Sequence, residues 1–104
     1  MSQPRKRRVV LLGSTGSIGT STLKVAAQLS DRIELIALAA CSSVEKLAAQ
    51  VRETGVRHVA IQDASKEAEL RALVPSDVTI HTGDEGLVEI ATLAEADIVL
   101  VSII

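Results

Sequence analysis

The chain has 104 residues, a net charge of −2, 47% hydrophobic and 23% charged residues, and no Phe, Tyr or Trp. That length fits one domain, able to bury roughly 65% of the surface of its unfolded chain, and the balance is that of an ordered globular protein. The charge argues against a nucleic-acid or anionic-membrane partner, and the lack of aromatics removes the stacking platform that single-stranded nucleic acid needs.

One cysteine, Cys41, cannot form an internal disulfide, and a zinc site normally needs several Cys or His ligands. No apolar run reaches the roughly 18 residues of a membrane span, and Val9 to Leu12 is too short for the core of a signal peptide. The sequence therefore reads as that of a cytoplasmic protein with no membrane partner. The basic stretch Pro4-Arg5-Lys6-Arg7-Arg8 reads as a solvated tail or strand flank, because 13 acidic residues balance it.

Val9-Val10-Leu11-Leu12 is a short apolar run closed by Gly13, as expected of a buried parallel strand. The loop Gly13 to Gly19 follows, then a helix from about Ser17 to Leu29, whose inward face the spacing assigns to Ile18, Thr22, Val25 and Leu29. Ile33 to Ala40 is a second buried strand. Ser42 with Glu45 fits a capping box opening a helix whose apolar face is Val44, Leu47, Ala48 and Val51 and whose end is marked by Gly55.

His58 to Ile61 is a third strand. Asp63 or Ser65 caps a third helix carrying Leu70 and Leu73 and ended by Pro75. Val78 to His81 is a weak strand. Gly83 to Leu93 is a helix with Leu87, Ile90 and Ala91 inward, and Asp97 to Ile104 is an apolar final strand. The strict strand–helix alternation predicts an α/β fold: a Rossmann-like, doubly wound, three-layer arrangement with a mostly parallel sheet and right-handed crossovers. Because ligand-contacting loops follow such strands, an end at Ile104 is expected of a chain cut after its last apolar strand, with residues 1–104 forming one incomplete domain.

The most informative pattern is Gly13-x-x-Gly16-x-x-Gly19 between the first strand and the first helix. Gly13 lets the chain turn out of the strand, Gly16 lets backbone approach a pyrophosphate, and Gly19 permits close packing of the helix. The helix start offers unpaired N–H groups and about half a positive charge, to which Ser14, Thr15 and Ser17 add hydroxyls. It is no phosphoryl-transfer loop, since no Lys-Ser/Thr follows the glycines. At the end of the second strand stands Ala39-Ala40-Cys41-Ser42-Ser43, with no carboxylate to hold a ribose 2′-hydroxyl or repel a 2′-phosphate, which points to NADP over NAD. His58 and His81 have no partner at catalytic spacing and read as strand packing. Glu67, Glu69, Asp84 and Glu85 read as exposed helix or cap carboxylates.

The segment Leu11 to Leu23, with its Gly-Ser-Thr-Gly-Ser-Ile-Gly core, resembles the opening of the 1-deoxy-D-xylulose 5-phosphate reductoisomerases, and Leu35 to Ala40 and Ala96 to Ile103 are similar to two of that family's strands. The resemblance implies an enzyme that rearranges 1-deoxy-D-xylulose 5-phosphate and reduces the product to 2-C-methyl-D-erythritol 4-phosphate with NADPH, in non-mevalonate isoprenoid synthesis. It implies a divalent cation (Mg or Mn), a homodimer, and metal, substrate and catalytic residues beyond Ile104, so this chain alone is expected to be inactive. By position, Thr15, Gly16, Ser17 and Ile18 match the family's NADPH loop, flanked by Gly13 and Gly19, and Cys41, Ser42 and Ser43 fall at its adenosine ribose phosphate. The family's Gly-Lys/Arg-Asn is replaced there by Cys-Ser-Ser, which removes a cation that Lys46 would have to replace. The residues also leave open another NADP-dependent reductase, of the semialdehyde dehydrogenase or short-chain type, and a stand-alone nucleotide-sensing module.

Overall fold

The computed structural model describes residues 5–102. Met1 to Pro4, Ile103 and Ile104 lie outside them, so the expected end of the last strand and the start of the basic stretch are not placed. Five strands, β1 (Arg7–Leu12), β2 (Ile33–Ala40), β3 (His58–Ile61), β4 (Thr79–Thr82) and β5 (Ile98–Val101), alternate with four helices, α1 (Ser17–Gln28), α2 (Val44–Thr54), α3 (Glu67–Leu73) and α4 (Gly83–Ala91). The strand order is β4-β3-β2-β1-β5, and every described pairing is parallel. The chain moves outward from β1 to β4, then returns through α4 to lay β5 on the other side of β1. The strand order therefore reverses between β1 and β5, where a sheet of this kind opens its ligand crevice.

Side chains alternate along each strand, which divides the core in two. Leu11, Leu38, Val59 and Ile61 face one way and pack with Leu47 and Val51 of α2, Leu70 of α3 and, at the margin, Leu23 of α1. Val10, Leu12, Ala37, Ala39 and Ala60 face the other way, against Ile90 of α4 with Leu87 and Ala91 beside it. In the absence of aromatics, one layer is filled by branched aliphatics, while the other is shallow because alanines let α4 approach. A Cβ on Gly86 would lie 2.8 Å from the carbonyl carbon of His81, so α4 also needs its own small residue at β4.

Several expectations are corrected. The Ile18–Thr22–Val25–Leu29 face of α1 is not the buried one: Ile18 is 59% and Val25 51% exposed, whereas Gly19 and Ala26 are buried. The two faces are adjacent, and the sheet takes the one whose small residues permit close approach. The capping box does not form. Ser43, not Ser42, occupies the N-cap of α2 and makes no side-chain cap bond. Asp63 does cap, but it caps a short 3-10 turn, Ala64–Lys66, ahead of α3, through its carboxylate and the Ser65 N–H.

Leu73 is 41% exposed, and Leu70 alone anchors α3. β4 lies one residue later than expected, and α4 ends at Ala91 rather than Leu93. The two histidines are not isolated: the parallel pairing of β3 with β4 sets His58 opposite Thr79 and His81 opposite Ala60, and across that diagonal His58 Nδ1 lies 3.2 Å from His81 Nε2. β5 is a sheet-edge strand whose four side chains are exposed, from 37% at Val99 to 66% at Val101.

Candidate functional site

The glycine turn sits at the carboxyl end of β1, beside the point of strand reversal. Gly13 has φ +89°, a left-handed conformation that a Cβ would oppose. Its N–H and that of Ser14 both donate to Ala39 O, at 2.8 and 2.9 Å, so the turn is stitched to the end of β2. From the other side Ser102, just after β5, donates its N–H to Leu12 O at 2.8 Å and sets its Oγ 3.0 and 2.9 Å from Leu12 O and Gly13 O. From below, Gln50 Nε2 of α2 donates to Ser14 O at 2.9 Å. The first strand, its two neighbours and a helix thus all hold one turn.

The glycines divide the work. An added Cβ on Gly19 would fall 2.1 Å from Gly13 O and 2.7 Å from Ser14 Cα, so Gly19 lets the first turn of α1 close onto the loop. A Cβ on Gly16 would meet nothing nearer than Gly13 O at 3.8 Å. Gly16 also has φ −75° and ψ 174°, which any residue adopts. The fold does not need a glycine at position 16. What the missing side chain leaves free is the outer surface of the loop.

Gly16 is the N-cap of α1, with no side-chain cap bond and no acidic residue in the first turn. By contrast, the first turns of α2, α3 and α4 carry Glu45, Glu67 with Glu69, and Asp84 with Glu85. Neither a side-chain cap nor an acidic residue therefore offsets the unpaired N–H groups and partial positive charge of the α1 N-terminus.

Thr15 is partly exposed, Gly16, Ser17 and Ile18 are exposed, and Gly19 is buried. Cys41, Ser42 and Ser43 are all exposed at the carboxyl end of β2, whose Ala39 pairs with Leu12 of β1. Adjacent strands thus bring the two predicted clusters to the same end of the sheet. Ser43 leaves its hydroxyl uncommitted to capping, and Lys46 is exposed in the first turn of α2, as is Glu45, whose charge opposes it.

The described residues show concavities along α1, lined by Ser17, Ile18, Ser21, Thr22 and Val25, and at the amino ends of β1, β2 and β3, around Arg8, Glu34 and His58. The second of these lies at the end of the sheet opposite the glycine turn. Among the described residues no group of three or more His, Cys, Asp and Glu is placed to hold a metal ion. No described helix is long and apolar enough to cross a membrane.

Sequence reasoning did not reveal Gln50 or the clamp made by Ser102. An amide on a helix and a serine after a strand carry no spacing signal; only the packing of α2 and the pairing of β5 bring them to the loop.

A glycine turn joining a buried strand to an uncapped helix, at the reversal point of a parallel sheet, defines a dinucleotide-binding α/β domain. The sequence model of one family, 1-deoxy-D-xylulose 5-phosphate reductoisomerase, matches residues 9–104, and the chain belongs to that family. The reductoisomerase of Nitratidesulfovibrio vulgaris (strain Hildenborough) is 47% identical over 96 residues, 90% of this chain and 24% of the relative. That of Thermoanaerobacter sp. (strain X514) is 41% identical over 97 residues, 93% of this chain and 25% of the relative. A solved DOX-P reductoisomerase in complex with NADPH, fosmidomycin and magnesium superposes with a TM-score of 0.88 at 36% identity, over 93% of this chain and 24% of that one. The Zymomonas mobilis enzyme in complex with NADPH gives 0.81 at 35% identity, over 88% and 24%. The chain thus spans about a quarter of the length of the relatives it matches.

Proposed function

We propose that residues 1–104 are the NADPH-binding unit of a reductoisomerase that converts 1-deoxy-D-xylulose 5-phosphate to 2-C-methyl-D-erythritol 4-phosphate. The observation that carries this reading is the uncapped, acid-free start of α1 beneath a glycine with an open outer face. In this assignment the pyrophosphate rests on Thr15, Gly16, Ser17 and Ile18, with Gly13 and Gly19 shaping the loop. Cys41, Ser42 and Ser43 receive the adenosine ribose and its 2′-phosphate, where no carboxylate stands at the strand end to repel it.

When bound, NADPH supplies a hydride to an aldehyde carbon. The residues of this chain bind and orient it, and no residue of the chain is assigned to proton transfer or to a metal. The divalent cation and the sugar phosphate belong in this reading to the rest of a longer enzyme, a cytoplasmic homodimer, with neither nucleic acid nor membrane as partner.

The test is titration with NADPH, NADH and AMP, followed by an assay of NADPH oxidation by the intact natural protein with the sugar phosphate. NADPH is expected to bind more tightly than NADH, and AMP weakly. Equal affinity for the two dinucleotides would remove the assignment of Ser42 and Ser43, and no turnover by the intact protein would remove the enzyme.

A further inference from the structure

Gln50 stands two turns into α2, far in sequence from the glycine loop, and its Nε2 reaches Ser14 O at 2.9 Å. Its helix cannot drift. Leu47 and Ala48 are fully buried and Val51 is 1% exposed, so the backbone of α2 is fixed on the sheet on both sides of Gln50. Among the described residues the buried Ser14 hydroxyl and Gln50 Oε1 find no partner, which leaves the amide-to-carbonyl bond as the polar recognition at this junction.

That bond has a consequence across the peptide. The C=O of Ser14 and the N–H of Thr15 belong to one planar trans unit and point in opposite directions. Holding Ser14 O toward α2 therefore aims the Thr15 N–H away from α2, toward the outer face of the loop. Turning this peptide over would direct the N–H inward and the carbonyl oxygen, a partial negative charge, toward the place of an incoming anion.

We propose that Gln50 is a positioning residue for dinucleotide binding: by holding Ser14 O it sets the Ser14–Thr15 peptide with its N–H facing the pyrophosphate. The inference rests on the proposed NADPH-binding role. It also ties the two halves of the site together, because the helix that begins at the ribose end of the site, after Ser43, is the one that orients the phosphate loop.

The experiment measures NADPH dissociation constants for the intact natural protein and for Gln50→Leu and Gln50→Glu, at about pH 5 and about pH 8, either side of the range in which a partly buried carboxyl titrates. Each value is taken relative to the unmodified protein at the same pH. Leucine removes the donor, and NADPH is expected to bind about 5- to 20-fold more weakly at both pH values, the effect of one lost, partly buried hydrogen bond. Glutamate donates an O–H to Ser14 O when protonated and repels it when ionised. Gln50→Glu is therefore expected to bind within about 3-fold of the unmodified protein at the lower pH and about 10-fold more weakly at the higher, on the same basis.

A structural role alone would lower the melting temperature without this pH-dependent affinity. If Gln50→Leu fails to fold, the contrast between the two pH values in Gln50→Glu decides. Unmodified protein that binds no NADPH overturns the cofactor assignment. Unmodified protein that binds it, with variants of unchanged affinity, overturns the role of Gln50 alone.

Discussion

The space that a side chain at Gly19 would need is already occupied by the carbonyl oxygen of Gly13, 2.1 Å from where a Cβ would lie. Backbone cannot yield as a flexible side chain can, so Gly19→Ala must displace either the turn or the first turn of α1. It is expected to lower stability by about 3 kcal/mol or more, at the upper end of overpacking costs. Gly16→Ala meets no such obstacle and is expected to change stability by less than about 1 kcal/mol, loss of a good N-cap offsetting the reduced freedom of the unfolded chain. It is still expected to weaken NADPH binding, because the new methyl group would stand on the face that the proposed function assigns to the pyrophosphate. Urea unfolding and NADPH titration on the two variants check this; loss of stability in Gly16→Ala would mean that the fold, not the ligand, needs that glycine.

In the proposed site Ser42 offers a hydroxyl at the end of β2, where a carboxylate would select the other dinucleotide. Ser42→Asp is expected to lower affinity for NADPH about 10-fold or more relative to NADH, by repelling the 2′-phosphate while accepting a bond from a 2′-hydroxyl. The measured quantity is the ratio of the two dissociation constants. An unchanged ratio would place the 2′-phosphate away from the end of β2.

Asp97 fastens β5 to the start of β1: its carboxylate accepts from Arg5 Nη2 and from the Arg8 N–H, each at 2.8 Å. These bonds, the one from the Arg5 side chain first, hold its pKa below the usual carboxylate value. A depressed folded-state pKa stabilises the protein above the ordinary carboxylate range, and the contribution disappears as pH falls through the folded value. Asp97→Asn is therefore expected to lower the melting temperature near neutral pH and to flatten the acid limb below about pH 4. Some slope should remain, because Asp63, bonded by the Ser65 hydroxyl, is lowered in the same sense. Melting curves against pH decide; parallel curves for the two proteins would show that Asp97 contributes nothing to the acid limb.

Val25 is 51% exposed, whereas Leu47 is fully buried beneath α2. Val25→Ser is expected to alter unfolding free energy by no more than about 0.5 kcal/mol. Leu47→Ala is expected to cost about 2–5 kcal/mol through the cavity it leaves in a core without aromatics to collapse into it. A large loss in Val25→Ser would restore the Ile18–Val25 stripe to the interior.

The sequence by itself determined the order and type of the elements, because a buried parallel strand and an amphipathic helix each leave a local pattern. β2 and β3 have the boundaries their apolar runs predict, and Gly55 ends α2 with φ +73° as a helix-terminating glycine does. The glycine spacing marked the loop for the same local reason. Tertiary structure alone decided which side of α1 is inside, since Ile18 and Gly19 begin adjacent faces and the choice depends on how near the helix can come to the turn. It also decided that Ser43 rather than Ser42 opens α2, that β5 lies at an edge beside β1, and that His58 meets His81. Gln50 and Ser102 reach the loop from 36 and about 90 residues away in the chain. Contacts of that kind depend on how strands pair and helices seat, and no periodicity within one segment encodes them.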